Sequence, residues 1–245
     1  CALPMTIMNA IVGKQLLEFK AEVDKLVKSG ETKEGAIMRV IRQYITDSKK
    51  VLFEGDGYSE EWAQEAKKRG LSNVKTTPYA LDFYNTKKAK EVLVATGIYT
   101  DRELEARVSI LHHTYVLKIE TEALILGDIA TNQIIPAAID YMNTLLTNVK
   151  GLKETGAAAA LVKTQKETIE TIAESINAIS AGVEKMRTAA DKAHHAKSTD
   201  EASKAYCDKV KPYFDEIRKH ADLLESVVDD KVWPLPKYRE MLFIR

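Results

Sequence analysis

The stretch that decides the fold is VKTQKETIETIAESINAISAGVEKMRTAA, residues 162–190. Val162, Gln165, Ile169, Ile172, Ile176, Ile179, Val183, Met186 and Ala190 follow one another at alternating three- and four-residue steps, which is a heptad seam with small residues around it. A helix with such a seam buries it against other helices. Downstream, Ser198 and Glu201 form a capping box, and Tyr206, Val210, Tyr213, Ile217, Leu224 and Val227 continue the pattern, with Pro212 as a kink. Upstream, Thr100 and Glu103 form another box, and Leu104, Val108, Leu111, Tyr115, Ile119 and Leu126 carry a long helix to about Asn148, bent at Pro136. Long helices joined by short turns predict a mainly α fold, with a long antiparallel hairpin or bundle over residues 100–232. On this pattern Ile172, Ile176, Ile179 and Val183 are expected to face Tyr213, Ile217 and Leu224.

The first half is punctuated differently. Ile7, Met8, Ile11, Val12, Leu16, Phe19, Val23 and Leu26 mark a helix over 5–27 that stops at Ser29-Gly30, and a second helix is expected from Thr32 to about Ser48. Residues 1–50 therefore form one helical segment. Over 51–99 short helices and turns follow: Val51-Leu52-Phe53 reads as a short strand, Ser59 caps a helix closed by Gly70, Thr77-Pro78 starts another, and Thr86 to Thr96 ends at Gly97. The last segment, 233–245, holds Trp233-Pro234-Leu235-Pro236, an apolar run stiffened by two prolines and expected to dock. Cys1-Ala2-Leu3-Pro4 leads straight into a helical pattern, so the chain is expected to start inside an element of a longer protein.

Composition narrows the function classes. At 245 residues the chain can bury a large core unaided, and 36 basic residues balance 36 acidic ones, so neither nucleic acid nor an anionic membrane is favoured as a partner. The two cysteines, Cys1 and Cys207, are too few for a secreted disulfide framework. No apolar run is long enough to span a bilayer and no secretory signal opens the chain, so a cytoplasmic location is expected.

Candidate chemistry is sparse, and each candidate has a plain structural reading beside it. A dimetal bundle site needs paired Glu-x-x-His motifs, and Asp191-x-x-His194 is the nearest approach, but its partner motif is absent and it lies at a polar helix end that reads as a solvated terminus. The neighbours His112 and His113 point to different sides of their helix and do not chelate together; they read as ordinary partly buried or surface residues. His220, one turn after Glu216 on the seam, suits a hydrogen-bonded or titrating core histidine, or a structural one. Glu120 and Glu122 interrupt the apolar series, which implies either a carboxylate buried on a basic partner or an exposed curved face. Cys207 lies among Lys204, Lys209 and Lys211 without a base nearby, and reads as a packed thiol. Gly55-Asp56-Gly57 is a turn, too short to cradle a phosphate, and Trp62 and Trp233 read as packing anchors. No catalytic, cofactor-binding or metal residue is assigned.

Gly55-Asp56-Gly57-Tyr58-Ser59-Glu60-Glu61-Trp62, followed by Glu65 to Asn73 and Lys75-Thr76-Thr77-Pro78, resembles a characteristic run of type III glutamine synthetases. Glu122-Ala123-Leu124, Ile134-Ile135-Pro136-Ala137 and the terminal Trp233 to Tyr238 with Leu242-Phe243 agree with it. The resemblance covers nearly the whole chain, with the segment from about Gly156 to Ala205 matching as a helical pattern. It implies the C-terminal portion of an ATP-dependent glutamate–ammonia ligase, downstream of the residues that bind glutamate, ATP and Mg or Mn, with residues 1–50 as the end of the catalytic domain. It also implies that the catalytic domain and neighbouring subunits of a ring-shaped homo-oligomer are the partners, and that the isolated chain is not catalytic. The alternative is a free-standing helical interaction module with its own partner; a metal-dependent bundle enzyme is the weakest of the readings.

Overall fold

A computed structural model of the chain describes residues 2–156 and 158–242. Cys1, Ala157 and the end of the expected tail, Phe243 to Arg245, lie outside the described residues. Among the described residues the regular structure is helical and no strand forms. The chain divides into two compact units, Cys1–Leu111 and His112–Arg245.

In the first unit, α1 (Ala2–Lys28) and α2 (Lys33–Ser48) pack through Val23, Ala36 and Val40, flanked by Phe19 and Tyr44 in edge-to-face contact at 5.9 Å. Thr32 starts α2 as expected, its hydroxyl accepting from the Gly35 amide at 3.2 Å. The strand expected at Val51-Leu52-Phe53 does not form. A 3-10 turn over Lys49–Val51 continues α2, and Phe53 turns its ring onto Trp62 at 4.2 Å instead of offering its backbone to a neighbour. Gly55 permits the reversal: its φ is 151°, and a side chain there would meet the Phe53 ring at 3.0 Å.

Ser59 caps α3 (Glu60–Lys68) through the Trp62 amide at 3.2 Å. Thr76, rather than Thr77, occupies the cap position of α4 (Thr77–Leu81), with Pro78 in its first turn. Thr86 caps α5 (Lys87–Leu93), which stops before the expected Thr96 because the chain turns at Gly97, where φ is 77°. Ala10, Leu93 and Leu104 make the second small core of this unit.

The reciprocal box at Thr100 and Glu103 is formed, with the Thr100 amide donating to Glu103 at 2.8 Å and the Glu103 amide to the Thr100 hydroxyl at 3.2 Å. It opens α6 (Asp101–Ile129), within which the unit boundary falls. The second unit then continues through α7 (Ile135–Glu154), α8 (Lys163–His194), α9 (Thr199–Ala205) and α10 (Pro212–Val227). Both anticipated proline kinks take the same form. A π turn precedes each: Ala130–Ile134 before Pro136, and Tyr206–Val210 before Pro212. Widening the turn moves carbonyls away from the proline ring, and the Lys211 amide reaches five residues back to the Tyr206 carbonyl at 2.9 Å. The helix from Thr100 thus bends without ending, and α7 runs past Asn148 to Glu154.

One core serves this unit. Ile172, Ile179, Val183 and Met186 of α8, Ile217 and Leu224 of α10, Ala130, Ile134 and Ala138 around the π turn, and Tyr206 are all buried in it, with Ile176 and Tyr213 packed against them. Gly182 lets α10 come close, since a methyl group there would stand 3.0 Å from Ile217 Cγ1. Beyond α10, Val228 and Trp233 also enter this core, and Lys237 Nζ donates to the Glu225 carbonyl at 2.8 Å, just before the short α11 (Tyr238–Met241).

Candidate functional site

The polar groups of the second unit gather where α6, α8 and the π turn after α9 meet. Tyr206 is fully buried and its hydroxyl donates to Glu120 Oε1 at 3.1 Å. His194 Nδ1 lies 3.1 Å from the same oxygen. Burial, and then the Glu120 carboxylate, push the Tyr206 phenol up to about 12, so it stays a protonated donor. Ala123, Leu124, Met186, Arg187, Ala190 and Asp191 complete a groove of about 300 Å³ around these groups.

A second polar contact lies a few turns away. His112 is buried, with Nδ1 2.7 Å from the Ser203 hydroxyl and Nε2 3.6 Å from Asp200 Oδ1. The Ser203 hydroxyl also lies within hydrogen-bond distance of the Asp200 carbonyl, at 2.8 Å. Lys204 Nζ sits 2.9 Å from Asp200 Oδ1. The arrangement ties α9 to α6, with the Ser203 hydroxyl bridging the His112 ring and the Asp200 carbonyl.

The structure separates the sequence candidates. Glu120 is the carboxylate that turns inward, meeting a phenol and an imidazole in place of a lysine or arginine, while Glu122 is exposed. His113 is exposed, as its opposition to His112 requires, but His112 is a buried linker and not an ordinary surface group. Val108, His112, Val116, Ile119 and Ala123 are all buried, so the signal for His112 was its four-residue step from Val108 to Val116. Asp191 and His194 are exposed, and His194 pairs with Glu120 across the groove. His220 is half-buried, its Nδ1 without a hydrogen-bond partner among the described residues, and Glu216 is exposed. Cys207 is a buried free thiol beside the Tyr115 hydroxyl, whose pKa is raised by burial and by that contact. Trp62 carries Phe53 on its face and the Arg69 guanidinium at 5.6 Å, and Trp233 is buried in the core, so both tryptophans pack. Gly55-Asp56-Gly57 is a turn in which Asp56 accepts from the Tyr58 amide at 2.9 Å.

The first unit carries a different feature. Across its length α1 fully buries Ala10 and Val23, while Met8, Leu16 and Leu17 are 63%, 63% and 60% exposed. Beside it Ile7, Ile11, Phe83, Tyr84, Val92 and Leu93 line an apolar groove of about 410 Å³. Exposed apolar surface of this extent is a feature that protein contacts and ligand grooves share. Among the described residues no helix is long and apolar enough to cross a membrane.

Residues 36–153 match the family model described as the glutamine synthetase C-terminal domain. A glutamine synthetase of Bacteroides fragilis (strain YCH46) is 41% identical over 248 aligned residues, covering 100% of this chain and 34% of that protein. A type-3 glutamine synthetase of Dictyostelium discoideum is 29% identical over 245 residues, 99% of this chain and 33% of that protein. A glutamine synthetase of Butyrivibrio fibrisolvens is 28% identical over 145 residues, 57% of this chain. The chain spans about a third of the length of the first two relatives. It belongs to the glutamine synthetase family and corresponds to the C-terminal portion of type III members.

Proposed function

We propose that this chain is the structural and oligomerisation portion of an ATP-dependent glutamate–ammonia ligase of the cytoplasm, packing on the catalytic remainder of the protein and on neighbouring subunits of a ring. The observation that carries this reading is the outward apolar face of α1 in a chain that aligns end to end with a third of a glutamine synthetase. Covering that face removes Met8, Leu16 and Leu17 from water, each contributing about 1.5–3 kcal/mol when fully buried. The remainder of the same polypeptide is the partner held at the highest effective concentration.

Glutamine synthesis of this kind uses ATP and Mg or Mn, and the groove in the second unit does not suit them. A nucleotide-bound divalent ion calls for several carboxylates and open oxygen positions. Glu120 Oε1 is already shared by Tyr206 and His194, and Arg187 and Asp191 stand at the groove without a second inward carboxylate. No step of the ligase reaction is therefore assigned to this groove. The chain's contribution is to hold the catalytic part in an assembly. Deleting residues 112–245 from the longer protein is expected to yield smaller particles in sedimentation and to lower glutamine formation with them. A deletion variant of unchanged size and activity would favour the free-standing interaction module instead.

A further inference from the structure

We propose that the outward face of α6 pairs with the same face of a second copy of this chain, helix against helix and antiparallel. This rests on the oligomerisation reading above and names its surface. Thr114, Leu117, Thr121, Leu124 and Asp128 follow each other at three- and four-residue steps, a second heptad stripe on the helix that already buries His112, Val116, Ile119 and Ala123 on its other side. All five stripe residues are exposed, Leu117 by 48% and Leu124 by 67%, and Ile125 beside them by 54%. Leu117, Leu124 and Ile125 thus leave apolar side chains exposed on the side of α6 turned away from the bundle, where a partner helix can cover them.

Charge identifies the other. Residues 106–118 of α6 contain Arg107 and Lys118 and no Asp or Glu; residues 119–129 contain Glu120, Glu122 and Asp128 and no Lys or Arg. Glu120 turns into the bundle, which leaves Glu122 and Asp128 exposed in the acidic half and Arg107 and Lys118 exposed in the basic one. An antiparallel pair lays the basic half of each copy along the acidic half of the other. A parallel pair sets like charges side by side. The stripe is thus complementary to itself in one orientation, which is the requirement of a two-fold contact.

The test is sedimentation velocity of the full 245-residue chain carrying Met8→Lys and Leu16→Lys, so that the α1 face cannot drive association. The expected result is a concentration-dependent dimer. Leu117→Glu with Leu124→Glu should leave a monomer of unchanged helicity, and Lys118→Glu should weaken the dimer by about tenfold. Adding Arg107→Glu, Glu122→Lys and Asp128→Lys to Lys118→Glu reverses both halves of the stripe and should restore the dimer, an outcome that a purely structural role for these residues does not produce. A monomer at all concentrations, a dimer indifferent to Leu117 and Leu124, or no restoration by the full charge swap would overturn the α6 contact. None of these outcomes bears on the ligase reading, whose test is the activity of the longer protein.

Discussion

At the scale of single residues, the chain places its few titratable core groups where they brace helices. Tyr206 shows the consequence for pH. The folded chain holds this phenol protonated up to about 12, whereas an unfolded tyrosine titrates near 10.0. Folding therefore favours the neutral form, and this contribution to stability is complete below about pH 10 and lost as the pH climbs from about 10 to about 12. Tyr206→Phe is expected to flatten the loss of stability in that window, and to cost about 1 kcal/mol at neutral pH through the missing hydrogen bond. Urea unfolding at pH 8 and pH 11 measures both, and an unaltered pH dependence would contradict the assignment. Little of this was legible in the sequence. An inward Glu120 was one of two readings of a broken apolar series, but its partners, Tyr206 and His194, lie 86 and 74 residues away, beyond the reach of local spacing.

At the scale of elements, local signals did most of the work. The caps at Thr32, Ser59 and Thr86 and the box at Thr100 fall where the sequence places them, because each is an exchange of hydrogen bonds within four residues. Val51-Leu52-Phe53 misled for the opposite reason. β-rich composition makes a strand only where a partner backbone exists, and here Trp62 supplies a ring in its place. The π turns before Pro136 and Pro212 show how a long helix absorbs a proline, a detail finer than the kink the sequence implied. The close approach of α8 and α10 makes a contrast between two glycines. Gly182→Ala should destabilise the chain, since the new methyl group meets Ile217 Cγ1 at 3.0 Å, within a rigid core. Gly151→Ala in α7 meets nothing within 4 Å and should gain up to about 1 kcal/mol from helix propensity. Thermal melting that ranks the two variants the other way would show that α8 and α10 are not packed as described.

At the scale of the whole molecule, the sequence carried the family through short ordered runs such as Gly55 to Trp62, and comparison supports it over residues 36–153 and, with the relatives, end to end. What composition and periodicity left open is which surfaces are interfaces, since an exposed methionine or leucine in the sequence looks the same as a buried one. The structure shows which apolar side chains stay exposed: Met8, Leu16 and Leu17 on α1, and Leu117 and Leu124 on α6. The central claim is that this chain assembles and supports a ligase without performing its chemistry. The most direct measurement is γ-glutamyl transfer and glutamate-dependent ATP hydrolysis with Mg or Mn, assayed on the chain purified alone and on the longer protein that contains it. The expected result is a folded helical chain with no turnover by itself, and activity in the longer protein that falls when Met8 and Leu16 are replaced by lysine. Turnover by the isolated chain, in a preparation free of other synthetase, would contradict it.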